Sequence, residues 1–279
     1  MDLVITSPAN PRLKQLVALR RRRTREEAGV TLLEGYEELS LAREAGVRPR
    51  TLYYCPELML AEADQLTLVD ELRGEGVEAV RLGRSAFEKV AYREGPDGFL
   101  AVVAAVGTTL EQLDLPADAL VLVCESVEKP GNLGAMLRTA DAAGVSAVIA
   151  TNPVTDWGNP NVVRSSKGTV YSVPVVSAST EETVAWLARE GVTLVATTPD
   201  TDLLHTDVDY RGRVALAVGS EKYGLTDELL GAADERVRIP MAGRANSLNV
   251  ATSAAIVIYE AVRQRGVGAA AGASAGQSA

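Results

Sequence analysis

The chain of 279 residues has one histidine, His205, and two cysteines, Cys55 and Cys124. One imidazole and two distant thiols cannot assemble a zinc site of the usual composition, and no metal is expected. A Ser-His-Asp hydrolase would need His205 as its base. His205 lies in the loop-like TDLLHTDVD, and the one G-x-S-x-G match, at 272–276, falls in the Gly/Ala/Ser-rich tail with no apolar strand before it. The phosphate loop G-x-x-x-x-G-K-[ST] and the dinucleotide fingerprint G-x-G-x-x-G are both missing. No apolar run reaches the roughly 20 residues of a membrane span. The opening MDLVITSPANPRLK lacks the apolar centre of a signal peptide, so the protein reads as soluble and cytoplasmic. Both cysteines lie in strand-like apolar stretches and read as reduced core residues.

Net charge is also short on the positive side, at −9. Taken as a sum, that argues against nucleic acid as a partner. The distribution says otherwise. Arg12, Lys14, Arg20, Arg21, Arg22, Arg23 and Arg25 fall between residues 12 and 25 with no acidic residue among them. Such a run is either a solvated helix face or an arm that contacts RNA phosphates.

What is present is ordinary globular material, 47% hydrophobic and 23% charged, enough for two modest domains. The first hundred residues read as a small α/β domain. A helix is expected over SPANPRLKQLVALRRRR, and strands over GVTLLEG, TLYYC, EAVR at 78–81 and FLAVVAAV at 99–106. Helices fall between the first three of these strands, one being YEELSLAREAG with Gly46 at its end. Residues 1–107 form this domain and 108–118 a linker. From 119 to 265, strands at 119–124, 146–150, 192–197, 214–218 and 236–239 alternate with helices. That alternation predicts a parallel sheet with helices on both faces. Residues 266–279, rich in Gly, Ala and Ser, read as a disordered tail.

Three segments carry the chemistry. Residues 128–144, EKPGNLGAMLRTADAAG, follow the buried strand ALVLVC. Pro130 and Gly131 break the strand, Asn132 is the expected N-cap, and Arg138 lies on the helix behind it. An amide and a cation at the carboxyl end of a strand suit a ligand site, although an ordinary solvated arginine would give the same spacing. VALAVGSEKYGL at 214–225 is a strand followed by a Gly-Ser-Glu loop. VRIPMAGRANSLNVATSAA at 237–255 leads through Ser247, Leu248 and Asn249 into an Ala-rich helix.

In this order the segments resemble the three motifs of the SpoU (TrmH) family of RNA ribose methyltransferases, of the SPOUT class. The likeness spans about residues 118–262. The first domain resembles the ribosomal-protein-L30-like RNA-binding domain that precedes some members. The resemblance implies an α/β fold with a trefoil-knotted parallel sheet, which nothing in the spacing itself reveals. It implies S-adenosylmethionine as methyl donor, a homodimer, and RNA as acceptor, most naturally 23S rRNA, because minimal transfer-RNA members lack the added domain. Arg138 matches the arginine proposed as catalytic. An arginine is ordinarily protonated, so it reads chiefly as an anchor for phosphate and for a developing alkoxide. Asn132, Glu221, Ser247 and Asn249 match the other active-site positions. Gly219, Ile239 and Leu248 match donor-binding positions, and Thr197 lies where it could border that pocket. Arg164 and Ser165, in NPNVVRSSKGTVYSVPV, join Arg20, Arg21, Arg22 and Arg23 as candidate RNA contacts, with a plain helix surface as the alternative. Glu128 stands where many members have Asp. Thiostrepton- and avilamycin-resistance enzymes share this architecture, so resistance and housekeeping roles both stay open. The rival readings are a non-catalytic ribosome-assembly factor, a transfer-RNA enzyme and a small-molecule methyltransferase.

Overall fold

A computed structural model describes residues 3–266. The expected tail lies outside the described residues, apart from Gly266. The chain divides into two compact units. The first runs to Val106 and also takes in Asp156–Ser172. The second comprises Gly107–Thr155 and the chain from Val173 onward.

The first unit holds β1 (Leu3–Ile5), α1 (Pro11–Ala18), α2 (Arg22–Ala28), β2 (Val30–Glu34), α3 (Tyr36–Glu44), β3 (Thr51–Tyr54), α4 (Glu62–Gly74), β4 (Glu78–Leu82), α5 (Arg84–Val90) and β5 (Phe99–Ala104). Its sheet has the order β1-β4-β3-β5-β2, with β5 antiparallel to both β3 and β2. The strand β1 and, in the second unit, the strand at Val175–Ala178 are not among the expected elements, because three or four residues give too short a pattern to register, and the seven-residue α5 is not among them either.

The arginine-rich entry is not one helix. Leu19 closes α1, Arg21 is extended, and α2 begins at Arg22. The cause is Arg25, which is buried and folds back. Its Nη1 donates to the carbonyls of Leu19 and Arg20, at 2.9 Å each. Its Nη2 meets both carboxylate oxygens of Asp156, at 2.8 and 2.7 Å. Asp156 opens the segment that completes this unit. There Thr31 donates to the carbonyl of Gly158 at 2.7 Å, and α7 (Pro160–Ser165) packs on β2.

The second unit is built on β6 (Leu120–Glu125), α6 (Pro130–Ala143), β7 (Ala147–Thr151), β8 (Val175–Ala178), α8 (Thr180–Arg189), β9 (Thr193–Thr197), β10 (Val214–Val218), α9 (Asp227–Ala232), β11 (Glu235–Val237) and α10 (Val250–Arg265). All six strands are parallel, in the order β11-β9-β10-β6-β7-β8. Every residue of β6, β7 and β10 is buried, as expected of a parallel sheet covered on both faces. Asn132 is not the N-cap of its helix. The helix opens at Pro130, where a missing N–H costs nothing, and Asn132 falls in the first turn. Both cysteines are free and buried, and burial pushes the Cys124 thiol up to about 12. Among the described residues, no helix is long and apolar enough to cross a membrane.

One buried carboxylate holds this unit together. Glu125, fully buried at the end of β6, accepts from Thr180 Oγ1 at 2.8 Å, Thr226 N at 2.7 Å and Thr226 Oγ1 at 2.8 Å. Glu125→Ala strands those donors and is expected to lower the unfolding free energy by about 3 kcal/mol. The exposed Glu235→Ala should change it by less than about 0.5 kcal/mol. Urea denaturation of the two variants makes the comparison, and equal midpoints would refute the role of Glu125.

Candidate active site

Parallel strands bring their carboxyl ends to one edge. The loops after β6, β9, β10 and β11 therefore converge, which is where open α/β sheets place ligands. Three sequence-distant side chains join there. Asn132 Nδ2 donates to Glu221 Oε1. Asn249 Nδ2 donates to Asn132 Oδ1 at 3.1 Å. Glu221 Oε2 also receives the backbone N–H of Glu128, at 3.4 Å.

The amide orientations follow from chemistry. A carboxylate only accepts, so Nδ2 of Asn132 must face Glu221 and its Oδ1 must face Asn249. Asn249 spends its own Oδ1 as the N-cap of α10, on Ala251 N at 3.0 Å and Thr252 N at 3.4 Å. The result is a relay of amides polarised in one sense, from a helix N-terminus to a carboxylate. Each sequence motif supplies one member.

Beside the relay lies a cavity of about 400 Å³. Thr197, Gly219, Ile239 and Leu248 all line it, together with Glu221 and Ser247. Ser247 stands on the wall outside the hydrogen-bonded relay. Thr197 Oγ1 is buried and has no hydrogen-bond partner among the described residues. Gly219 is demanded by space, because a Cβ there would overlap the backbone of Gly224 and Leu225. The cavity thus has apolar walls in Val218, Leu225 and Ile239, carboxylates in Asp200 and Glu221, and bare backbone at Gly219. Those features fit a cationic adenosyl amino acid, with apolar surface for its heterocycle and acceptors for its hydroxyl and ammonium groups.

Arg138 is exposed on α6, the helix that carries Asn132. The other candidate cations belong to the first unit. Arg21, Arg22 and Arg23 are exposed, and Arg22 and Arg23 pair with Glu26 and Glu27 at 2.7 Å. Arg20 is differently employed. Its Nη2 donates to the carbonyl of Ala91 at 2.6 Å, and its guanidinium stands 5.8 Å from the Tyr92 ring centre. Arg164 is exposed, and Ser165 Oγ donates to the carbonyl of Asn161 at 2.6 Å. His205 is half-buried, and its backbone N–H donates to the carbonyl of Arg238.

A profile described as the SpoU rRNA Methylase family matches residues 119–259, half of the chain. The chain belongs to the SpoU rRNA methylase family. A second profile, the MRM3-like substrate binding domain, matches residues 10–101 of this SpoU protein. A 23S rRNA (uridine(2479)-2'-O)-methyltransferase of Streptomyces viridochromogenes is 34% identical over 267 residues, covering 92% of this chain and 91% of that one. The 23S rRNA (guanosine(2553)-2'-O)-methyltransferase RlmP of Bacillus subtilis (strain 168) is 31% identical over 255 residues, covering 91% and 97%. The AdoMet-bound rRNA methyltransferase of Sinorhizobium meliloti superposes with a TM-score of 0.85 at 30% identity, covering 93% and 97%.

Sequence reasoning missed several members of the SpoU site. The Glu128 N–H braces Glu221, and Thr155 Oγ1 holds the Glu128 carbonyl at 3.0 Å. A backbone donor leaves no residue-type signal. Glu125 did leave one, as a charge that ends an apolar run. Gly219→Ala is expected to cost about 1–3 kcal/mol through overpacking and to abolish ligand binding in the cavity. Calorimetric titration with S-adenosylmethionine, alongside thermal unfolding, checks both. Retained binding at wild-type stability would show that the loop tolerates a side chain.

Proposed function

We propose that this chain transfers a methyl group from S-adenosylmethionine to a ribose 2'-hydroxyl of RNA, with 23S rRNA as its substrate, in the cytoplasm. The observation that carries the reading is the relay of Asn249, Asn132 and Glu221 at the mouth of the cavity. Thr197, Gly219, Ile239 and Leu248 would hold the donor. When bound, the donor supplies a methyl group already activated by its sulfonium. The chain must then align the acceptor oxygen and manage its proton. Arg138 holds the neighbouring phosphate and stabilises the oxygen as it gains negative charge. Glu221, fixed by an amide on one oxygen and a backbone N–H on the other, keeps one orientation toward the reacting groups. Asn249 prevents Asn132 from turning its oxygen toward that carboxylate. Ser247 adds a hydroxyl on the same wall.

The first unit delivers the RNA. Arg21, Arg22 and Arg23 are its phosphate contacts, since exposed ion pairs are worth little and exchange readily for phosphates. Arg20 serves the fold through the Ala91 carbonyl. Arg164 and Ser165 extend the RNA surface. The second unit folds as a trefoil knot, a reading supported by how the chain between β9 and β10 meets the one leaving β11. Arg238 N donates to the carbonyl of Leu203 there, at 2.9 Å.

Methyl transfer from radiolabelled donor to deproteinised 23S rRNA tests the reading directly, and absence of transfer to any rRNA would refute it. Arg138→Ala should lower single-turnover transfer roughly 10²–10⁴-fold while leaving donor affinity intact. Replacing Arg21, Arg22 and Arg23 together by Ala should flatten the salt dependence of RNA binding, by a log–log slope of up to about 0.9 per lost contact. Chemistry at saturating RNA should then be unchanged. A full-rate Arg138→Ala enzyme, or an unaltered salt slope, would contradict these assignments.

The working form is a homodimer. Exposed apolar side chains at Met241 and Leu248, on the loop entering α10, and at Tyr259, on α10, are available to a two-fold partner. Light scattering at low micromolar concentration should give twice the 29.4 kDa chain mass. A fully active monomer would refute the assignment.

A further inference from the structure

Tyr223 is 74% exposed, far more than Tyr259 at 49% or Tyr92 at 39%. A ring so exposed adds nothing to the core, yet its root is rigid. Ser220 N donates to the Gly224 carbonyl and Gly224 N to the Ser220 carbonyl, at 3.0 Å each. Tyr223 N donates to Ser220 Oγ at 3.1 Å. Residues 220–224 therefore form a closed turn with the ring projecting from it. The Lys222 ammonium stands 4.6 Å from the ring centre and 2.6 Å from the hydroxyl. The preceding residue is Glu221, the carboxylate end of the relay, and Tyr223 itself lines the rim of the cavity.

We infer that Tyr223 is the platform on which the base of the acceptor nucleotide stacks, with Lys222 drawing the adjoining backbone phosphate. The inference rests on the methyl-transfer reading and extends it to how the acceptor is seated. Sequence-specific RNA recognition targets single-stranded segments whose bases can be splayed out of the helical stack. Proteins hold unstacked bases on exposed aromatic rings, with little dependence on base identity. The donor heterocycle has apolar walls of its own in Val218, Leu225 and Ile239, inside the cavity. The outward ring is left to the acceptor. The neighbouring ammonium favours an anionic polymer over an apolar protein partner.

Three variants test the platform. Tyr223→Ala should weaken binding of a 23S rRNA transcript about 5- to 150-fold, with donor affinity unchanged by calorimetry. Tyr223→Phe and Tyr223→Trp keep a flat ring and should stay within about threefold of wild type. Trp157 and Trp186 are buried, at 3% and 2% exposure, and give the same background emission in both proteins, so the difference between Tyr223→Trp and wild type reports on the rim. Its fluorescence should be quenched when the transcript is added. Unchanged RNA affinity in Tyr223→Ala would overturn the inference. So would an equal loss of donor affinity, which would assign the ring to the donor, or a halved particle mass, which would assign it to a subunit contact. Quenching and RNA affinity are read without turnover. A wild-type protein that methylates no rRNA would therefore refute the enzymatic reading separately, by a different measurement.

Discussion

Glu125, at 0% exposure, is the most deeply buried carboxylate among the described residues of the second unit. A carboxylate without solvent contact is tolerated only where donors replace its water. Here they come from the first residue of α8 and the N-cap of α9. The turn at residues 220–224 leads directly into Thr226, so its exit is fixed by this contact. The loop that leads to α6 begins at the very next residue. Ser126 adopts a left-handed conformation, φ 51°, and donates to the Thr151 carbonyl at 2.9 Å. Both halves of the Asn132–Glu221 contact are thus tied to a single buried group.

Apolar runs made most of the fold legible. ALVLVC and VALAV are strands within a residue or so of their expected limits, because an unbroken β-branched run has few other uses. Short elements escaped. Val175–Ala178 is a strand only because β7 offers an edge, and that is a tertiary fact. Asn132 illustrates a subtler failure. Its residue type favours the N-cap, but Pro130 takes the first helical position and moves the helix start upstream. Asn132 is thereby freed to use both ends of its amide on Glu221 and Asn249. The motifs named Asn132, Glu221 and Asn249 as candidate site residues, and the fold joins these three by hydrogen bonds while Arg138 and Ser247 stand outside the relay.

The basic run shows the opposite limit. Seven cations between residues 12 and 25 look alike in sequence but divide in the fold. Arg25 caps carbonyls and binds Asp156 from a buried position, and Arg20 reaches the Ala91 carbonyl. Arg12 pairs with Glu78 at 2.8 Å across the sheet edge. Charge counting could not separate these from Arg21, Arg22 and Arg23, because the acidic and carbonyl partners lie up to 131 residues away in the chain.

That distance bears on the order in which the molecule can be made. The first unit is not complete when its last N-terminal strand, β5, leaves the ribosome. Asp156, Gly158 and α7 must still be synthesised before Arg25 finds its carboxylate and β2 gains its cover. Translation proceeds at about 5–20 residues per second, with N-terminal domains usually folding first. Here β6, α6 and β7 emerge while the earlier unit still lacks a part. The nascent chain therefore passes through an interval of several seconds in which a buried-to-be guanidinium and the face of β2 stand open to solvent.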